Sequence, residues 1–309
     1  MKVHGLLLLD KPRGLSSNTA LQRARRLLDA DKAGHGGTLD PLADGLLPLL
    51  FGEACKLAES ALEGDKAYDA EVRLGQATTT DDAEGEVVSS APVTFGEAEL
   101  QAVLARFRGG IVQVPPVYSA LKVAGKALYR HAREGNPVQP APREVQVHEL
   151  ELLERWGGDR PRLRIRVRCS KGTYIRSLAR DIGAALGCGA HLGALRRTVV
   201  GRFSVADAVT LEALEALAPA ARLARLVDLE ALVADWPSVT LDGAEAARFR
   251  QGQSVTLATG RLPAGAATRA IAAAGRIAVF HDGRLAGLGR CSSDNEQTCV
   301  LAPARVIMP

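Results

Sequence analysis

The sequence has no C-x-x-C pair, and its cysteines, Cys55, Cys169, Cys188, Cys291 and Cys299, are odd in number. This argues against a closed disulfide framework, and no zinc ligand set is present either. A long apolar run is also missing. The first such stretch, Gly5 to Leu9, stops at Asp10 and is too short for a signal-peptide core or a membrane span. With no span and with thiols that stay reduced, the chain is expected in the cytoplasm, away from any membrane. Charge of one sign is not in large excess. The formal net charge is +4 and the isoelectric point near 8.9, so a polyanionic partner is expected only where cations cluster. What the chain has in quantity is apolar sequence. At 47% hydrophobic over 309 residues it can bury a sizeable core, and its length suggests about two domains.

Along the chain, Val3 to Leu9 reads as a buried strand and Asp10-Lys11-Pro12-Arg13-Gly14 as the turn that leaves it. Ser16, Ser17 and Asn18 offer N-caps for a helix whose Ala20, Leu21, Ala24, Leu27 and Leu28 recur at helical spacing, with Arg23, Arg25 and Arg26 on its solvated face. Tyr68, Ala70, Val72 and Leu74 alternate with Asp69, Glu71 and Arg73, the period of a half-buried strand with Tyr68 on the apolar face. Gln76 to Phe95 is polar and turn-rich, with Asp81, Asp82 and Glu84 clustered, and reads as an exposed connection. Leu100, Val103, Leu104 and Phe107 predict a short helix before Gly109-Gly110, and Val114-Pro115-Pro116 opens an extended segment. One or two helices are expected between Leu211 and Leu232, and Asp235-Trp236-Pro237 makes a boundary. Beyond it, the alternating Ile277-Val279 run and the hairpin signal His281-Asp282-Gly283-Arg284 indicate a small domain of short strands.

Two stretches concentrate cations. Between Tyr118 and Arg143 lie Lys122, Lys126, Arg130, Arg133 and Arg143, with Tyr129 and His131, against the single acid Glu134. Cations interleaved with aromatics suit looped RNA, whose bases stack and whose phosphates need counter-charge; a solvated insertion has the same composition. Further on, Arg162, Arg164, Arg166 and Arg168 form one face of a strand whose other face is Leu163, Ile165, Val167 and Cys169. Residues 160 to 180 hold eight Lys or Arg and no Asp or Glu. A solvated sheet face normally mixes signs, so this row is expected to face phosphates. Ser170-Lys171-Gly172-Thr173 then turns into a helix with Ile175, Leu178, Ala179 and Ile182 buried and Thr173 as its expected cap. In its first turn Arg176 is free to pair with Asp181 or with phosphate.

The stretch from Gly34 to Pro48, GHGGTLDPLADGLLP, is where chemistry is expected. Glycines around His35 let the backbone enter positive φ or approach another molecule closely. Asp40 stands between this loop and Pro41, which forces its predecessor out of the α region and can itself open a helix. Two readings of Asp40 remain open from spacing alone: a reactive carboxylate, or an N-cap for a helix over the apolar run that follows.

Gly34-His35 followed by Gly37-Thr38-Leu39-Asp40-Pro41-Leu42-Ala43 resembles the aspartate motif of the TruB-type tRNA pseudouridine synthases. Further blocks match in the same order: Asp10 to Gly14, Leu74-Gly75-Gln76, Pro115 to Lys122, Cys169 to Arg176 and Gly187 to His191. Agreement covers roughly the first two thirds of the chain, too much for coincidence. Gly36 and Asp44 depart from the pattern, each standing where Thr is usual, and Asp44 adds a negative charge near a site meant to meet RNA.

The resemblance implies an α+β fold. A catalytic domain over 1–235 would carry a mixed, largely antiparallel sheet flanked by helices and loops, with an RNA-binding insertion at about 115–143. A small β-rich, PUA-like RNA-binding domain would occupy 236–309. It implies an isomerase that turns uridine 55 of the tRNA T-loop into pseudouridine, with tRNA bound through its T-arm, no cofactor, no metal, and a monomeric protein. Asp40 would be the catalytic carboxylate, Arg176 its partner holding it ionised, and Tyr68 the residue against the base and its C5 proton. Tyr174 would stack on the base and Leu195 line the pocket. His35 would fill the stack vacated when the uridine is extruded. Lys122, Lys126 and the arginine row would meet the RNA backbone. The alternatives are a tRNA-binding or tRNA-folding protein without catalysis, a synthase acting on another RNA, and a carboxylate-using hydrolase, for which only Asp44 stands near as a second acid.

Overall fold

The computed structural model describes residues 2–58, 64–119, 121–123, 125–159, 161–262, 277–293 and 297–308. Arg160 and the side chains of Tyr129 and Arg133, counted in the two basic stretches, lie outside the described residues. The chain opens with β1 (Gly5–Lys11), β2 (Ala33–His35), β3 (Ala43–Phe51) and β4 (Lys66–Leu74). The helix Ser17–Leu27 lies between β1 and β2, begun by Ser16, whose hydroxyl accepts the Thr19 N–H at 3.0 Å. A hairpin of β5 (Gln76–Thr78) and β6 (Val87–Ser90), the helix Glu97–Arg106 and β7 (Gly109–Gln113) follow. Then come the small hairpin β8 (Lys122–Val123) and β9 (Lys126–Ala127), the long strands β10 (Arg143–Trp156) and β11 (Arg162–Cys169), and the helix Ile175–Ala185. After them, β12 (Ala190–Val200), β13 (Phe203–Ser204) and β14 (Val209–Thr210) complete a ten-stranded sheet.

Its order is β14-β1-β3-β12-β4-β11-β10-β7, with β2 beside β3 and β13 beside β12. Only β1 with β14 and β3 with β12 run parallel, so the sheet is mixed and largely antiparallel, as expected. Between Ser238 and Val306 a second sheet has the order β15-β17-β18-β19-β16, from β15 (Ser238–Thr240), β16 (Val255–Ala258), β17 (Ile277–His281), β18 (Arg284–Ser293) and β19 (Thr298–Val306). The β17–β18 turn has Asp282 at φ 49° and Gly283 at φ 71°, the left-handed pair that a two-residue hairpin needs.

β1 is leucine on both faces because both faces are covered. Leu7 and Leu9 enter the large core under the helices, while Leu6 and Leu8 join Leu46 and Leu50 in a second cluster. That second cluster also contains Ala278, Leu285, Leu288 and Ile307 from the C-terminal sheet. The two sheets thus share one apolar layer.

Two expectations are corrected here. The arginine row does not lie on a face of one sign. Antiparallel neighbours supply the acids that residues 160 to 180 lack: Arg166 meets Asp69 at 3.1 Å, Arg164 meets Glu154 at 2.9 Å, Arg168 meets Glu149 at 3.5 Å, and Arg162 meets Glu71 at 3.7 Å. The row is the middle rung of a cross-strand charge ladder, so the argument that it must face phosphates falls. The connection from Gln76 to Phe95 is not exposed throughout either. Asp82 is 3% accessible, and its segment is tied to β12 by Ala83 N–H to Leu192 O at 2.9 Å and Leu192 N–H to Asp81 O at 3.0 Å.

Candidate active site

Asp40 caps no helix. Its carbonyl accepts the Ala43 N–H at 3.1 Å in a tight turn, and the apolar run after it is β3, held between β1 and β12. The buried Ser17 hydroxyl fixes the approach to Asp40 by accepting the Leu39 N–H at 2.8 Å and bonding to Leu39 O at 2.9 Å. Gly14 N–H to Pro41 O at 2.7 Å fixes the exit. Gly37, at φ 88°, lets the loop turn over the end of β12. The Asp40 carboxylate therefore stands without a backbone donor to satisfy, at the floor of a cavity of about 290 Å³.

Arg176 reaches it from the first turn of the helix Ile175–Ala185, Nε to Oδ2 at 3.0 Å. Arg176 is 6% exposed and held on all three nitrogens: Nη1 meets Asp82 at 3.4 Å and Thr80 O at 3.3 Å, and Nη2 donates to Tyr118 O at 2.9 Å. Asp82 is held in turn by the Thr80 hydroxyl at 2.6 Å and the Glu84 N–H at 3.0 Å. Asp181, a candidate partner of Arg176, pairs with Arg180 instead. Tyr68 and Leu195 face the same cavity from β4 and β12, and Tyr174 closes it from the helix start. No side chain caps that helix. Thr173 donates its hydroxyl to Ser170 O, and the Tyr174 backbone is gripped by the buried Gln113, whose amide accepts its N–H at 3.1 Å and donates to its carbonyl at 3.3 Å. Arg143 lies over the Tyr174 ring at 5.5 Å.

Of the expected site residues, the fold brings together Asp40, Tyr68, Tyr174, Arg176 and Leu195. His35 is not presented on a loop. It ends β2, half-buried opposite Leu49, and does not line the cavity around Asp40. Lys122 is exposed on the outer hairpin, and Lys126 is neutralised by Glu134. Asp44 adds no free charge beside the site, because Arg196 binds it at 2.6 Å together with Asp10 at 2.7 Å. A larger cavity, about 720 Å³, lies at the far end of β4 beside Arg73, Trp156 and Arg162; its arginines are paired and no carboxylate–arginine–tyrosine grouping lines it. Among the described residues no His/Cys/Asp/Glu grouping is arranged to hold a metal ion, and no helix is long and apolar enough to cross a membrane.

The electrostatics differ from the sequence expectation at Asp40. Burial pushes its carboxyl above the ordinary carboxylate range, the Arg176 guanidinium pulls it back only in part, and the like charge of Asp82 adds to the rise. The side chain keeps 37% of its surface open to the cavity, so substrate can reach it. Lys11, fully buried with its ammonium on Pro12 O at 3.0 Å and Leu15 O at 2.7 Å, is brought down by burial to about 8. Burial pushes the Tyr68 hydroxyl up to about 12, so it stays a neutral O–H at neutral pH.

Residues 25–175 match the model of the TruB family pseudouridylate synthase N-terminal domain. The chain belongs to the TruB family of pseudouridine synthases. Residues 176–234 match the tRNA pseudouridylate synthase B C-terminal domain, and 237–307 the C-terminal model of pseudouridine synthase II TruB. The chain is 52% identical over 305 residues to tRNA pseudouridine synthase B of Azoarcus sp. (strain BH72), covering 99% of this chain and 95% of that one. It is 50% identical over 305 residues to the protein of that name from Aromatoleum aromaticum, covering 99% and 93%. A chain of a solved Cbf5-Nop10-Gar1 complex superposes with a TM-score of 0.73 at 26% identity, covering 99% of this chain and 85% of that one. As a member of the TruB family the protein is an isomerase.

Sequence reasoning missed Asp82, Gln113, Ser17 and Arg197 in this TruB site. Asp82 was visible as one of three clustered acids, but nothing local distinguished it from the half-buried Asp81 and the exposed Glu84. The like charge of Asp82 has a measurable consequence. Turnover that needs ionised Asp40 should rise with pH through a value above the ordinary carboxylate range. Asp82→Asn removes the repulsion, so the acid limb of the kcat profile should move to lower pH. The plateau should drop by up to about 10²-fold as Arg176 loses one of its two carboxylate partners. A limb that stays in place would assign it to a group other than Asp40.

Proposed function

We propose that this TruB-family protein converts uridine 55 in the T-loop of tRNA to pseudouridine, acting in the cytoplasm as a monomer that holds the T-arm. The observation that carries the reading is the Asp40–Arg176 pair at 3.0 Å, opening into a cavity walled by Tyr68, Tyr174 and Leu195. The relatives named tRNA pseudouridine synthase B support tRNA as the substrate class.

The chemistry asks for few groups. The bond from C1′ to N1 breaks, the uracil turns, C5 joins C1′, and the C5 proton leaves. Asp40 serves as nucleophile or as the base that assists departure of the uracil; Arg176 orients it. Tyr174 offers a stacking face, and Tyr68 contacts the base through a neutral hydroxyl. The pocket keeps the detached uracil from escaping. Extruding a stacked nucleotide costs a few kcal/mol, which contacts from the basic insertion at about 115–143 and from residues 236–309 would offset.

The test is release of tritium from C5-labelled uridine in an unmodified tRNA transcript, beside a transcript with cytidine at position 55. Release from the first and none from the second is expected. Binding without release would make the protein a tRNA binder, and release from the cytidine-55 transcript would place the target elsewhere.

A further inference from the structure

Arg196 and Arg197 are neighbours on β12 and point to opposite sides of the sheet. Arg196 is satisfied by Asp10 and Asp44. Arg197 turns inward, keeps 2% exposure, and among the described residues no carboxylate forms an ion pair with it. Its hydrogen-bond partners are backbone dipoles: Nε donates to Leu46 O at 2.8 Å and Nη2 to Gly37 O at 3.1 Å, and Tyr68 lines the same cavity wall. A guanidinium carries five N–H donors, so N–H bonds remain after these, at the wall of the cavity that holds Asp40.

Burying a cation with no counter-charge is costly, and packing gives no reason for it, since an apolar side chain of similar length would fill the same space. The placement is also tightly built. β3 closes on β12 so nearly that a Cβ on Gly45, at φ 98°, would sit 2.3 Å from Arg197 O. Such a site favours negative charge that arrives only during a reaction.

Uridine isomerisation generates that charge. When C1′–N1 breaks, its electron pair stays with the uracil, and the resulting anion is shared among N1, O2 and O4. C5 then bonds to C1′ with an electron pair of the C5–C6 double bond, and loss of the C5 proton restores the ring; no atom is gained or lost overall. Arg176 is already committed to two carboxylates. We infer that Arg197 is the counter-charge for the detached uracil anion. This rests on the isomerase reading above.

The test compares single-turnover rates on two RNAs, one with uridine at the target position and one with 5-fluorouridine. Fluorine withdraws electrons and makes the base a better leaving anion. Because it also blocks the final proton loss, the readout for both is disappearance of the N-glycoside after nuclease digestion. Arg197→Met should bind RNA within about threefold of wild type and lose about 10²- to 10³-fold in rate on uridine RNA, as for removal of an oxyanion donor. On 5-fluorouridine RNA its deficit should shrink roughly tenfold or more, and Arg197→Lys, which keeps the charge, should recover part of the rate. If Arg197→Met does not fold, the Lys variant carries the same comparison with a smaller deficit. Equal deficits on the two RNAs, or none, would overturn the inference. Failure of the wild-type protein on uridine RNA would instead overturn the reading beneath it.

Discussion

Asp40→Asn should give a folded protein that still binds T-arm RNA and forms no detectable pseudouridine. Asn keeps the size and one acceptor oxygen of Asp, and Arg176 keeps its second carboxylate on Asp82, so the guanidinium is not left unpaired. What is lost is the ionisable oxygen aimed into the cavity. Removing a nucleophile or its equivalent costs on the order of 10⁴-fold or more in kcat. Stability should move the other way. Because the carboxyl is raised above its unfolded value by burial, ionised Asp40 disfavours the folded state above that raised value, and the penalty is relieved as pH falls through it toward the unfolded pKa. At neutral pH the Asn variant should therefore unfold at or above the wild-type temperature, and the difference should fade as the medium becomes acidic. Thermal unfolding, T-arm binding and C5 tritium release from one preparation measure all of this. Substantial release would remove Asp40 from the chemistry, and a large loss of stability would mean that its carboxylate serves the fold.

This result also separates two readings that the sequence left open. An Asp before Pro and an apolar run is compatible with a helix start. The structure puts β3 there because its register with β1, Leu6 opposite Leu50 and Leu8 opposite Pro48, makes a strand pair buried on both faces. That pairing partner lies outside any local window. The one-sign reading of the arginine face failed for the same reason: the signs that balance it sit on β4 and β10, far away in sequence. Elements with their own periodicity were legible, such as the helix begun by Ser16 and the β4 alternation that puts Tyr68 inward. Asp40, Tyr68, Tyr174, Arg176 and Leu195 were legible through motif resemblance, and the fold joins them in one cavity. Arg197 stood in plain view beside Arg196. Only the direction of β12 tells that one arginine faces acids and the other the cavity.

Deleting residues 236–309 should cost the protein its fold and not merely its grip on tRNA. The division before Trp236 read as a domain boundary, and an independent appendage would leave the remainder stable and active on an isolated T-arm hairpin. The contacts argue otherwise. Ala278, Leu285, Leu288 and Ile307 belong to one buried cluster with Leu6, Leu8, Leu46 and Leu50, which are 0–6% exposed in the whole chain. Polar ties cross at the same place: Lys56 Nζ donates to Val306 O at 2.9 Å, the Met308 N–H to Glu53 at 2.9 Å, and the Leu285 N–H to Glu230 at 3.0 Å. Fully burying one such aliphatic side chain contributes about 1.5–3 kcal/mol. Opening this cluster by removing its C-terminal members therefore removes an amount comparable to a typical net stability of about 5–15 kcal/mol. At roughly 2–4 °C per kcal/mol for a domain of this size, the truncated chain should unfold at least about 10 °C lower or aggregate on expression. Because β1 precedes the turn that leads to Ser17, and β3 follows directly from Asp40, loosening this layer should also degrade hairpin turnover. Unfolding temperature and single-turnover rate on the T-arm hairpin, measured for residues 1–235 beside the full chain, decide between the two. A truncated protein with full-length stability and turnover would show that the shared layer is dispensable and that 236–309 is only a tRNA-holding module.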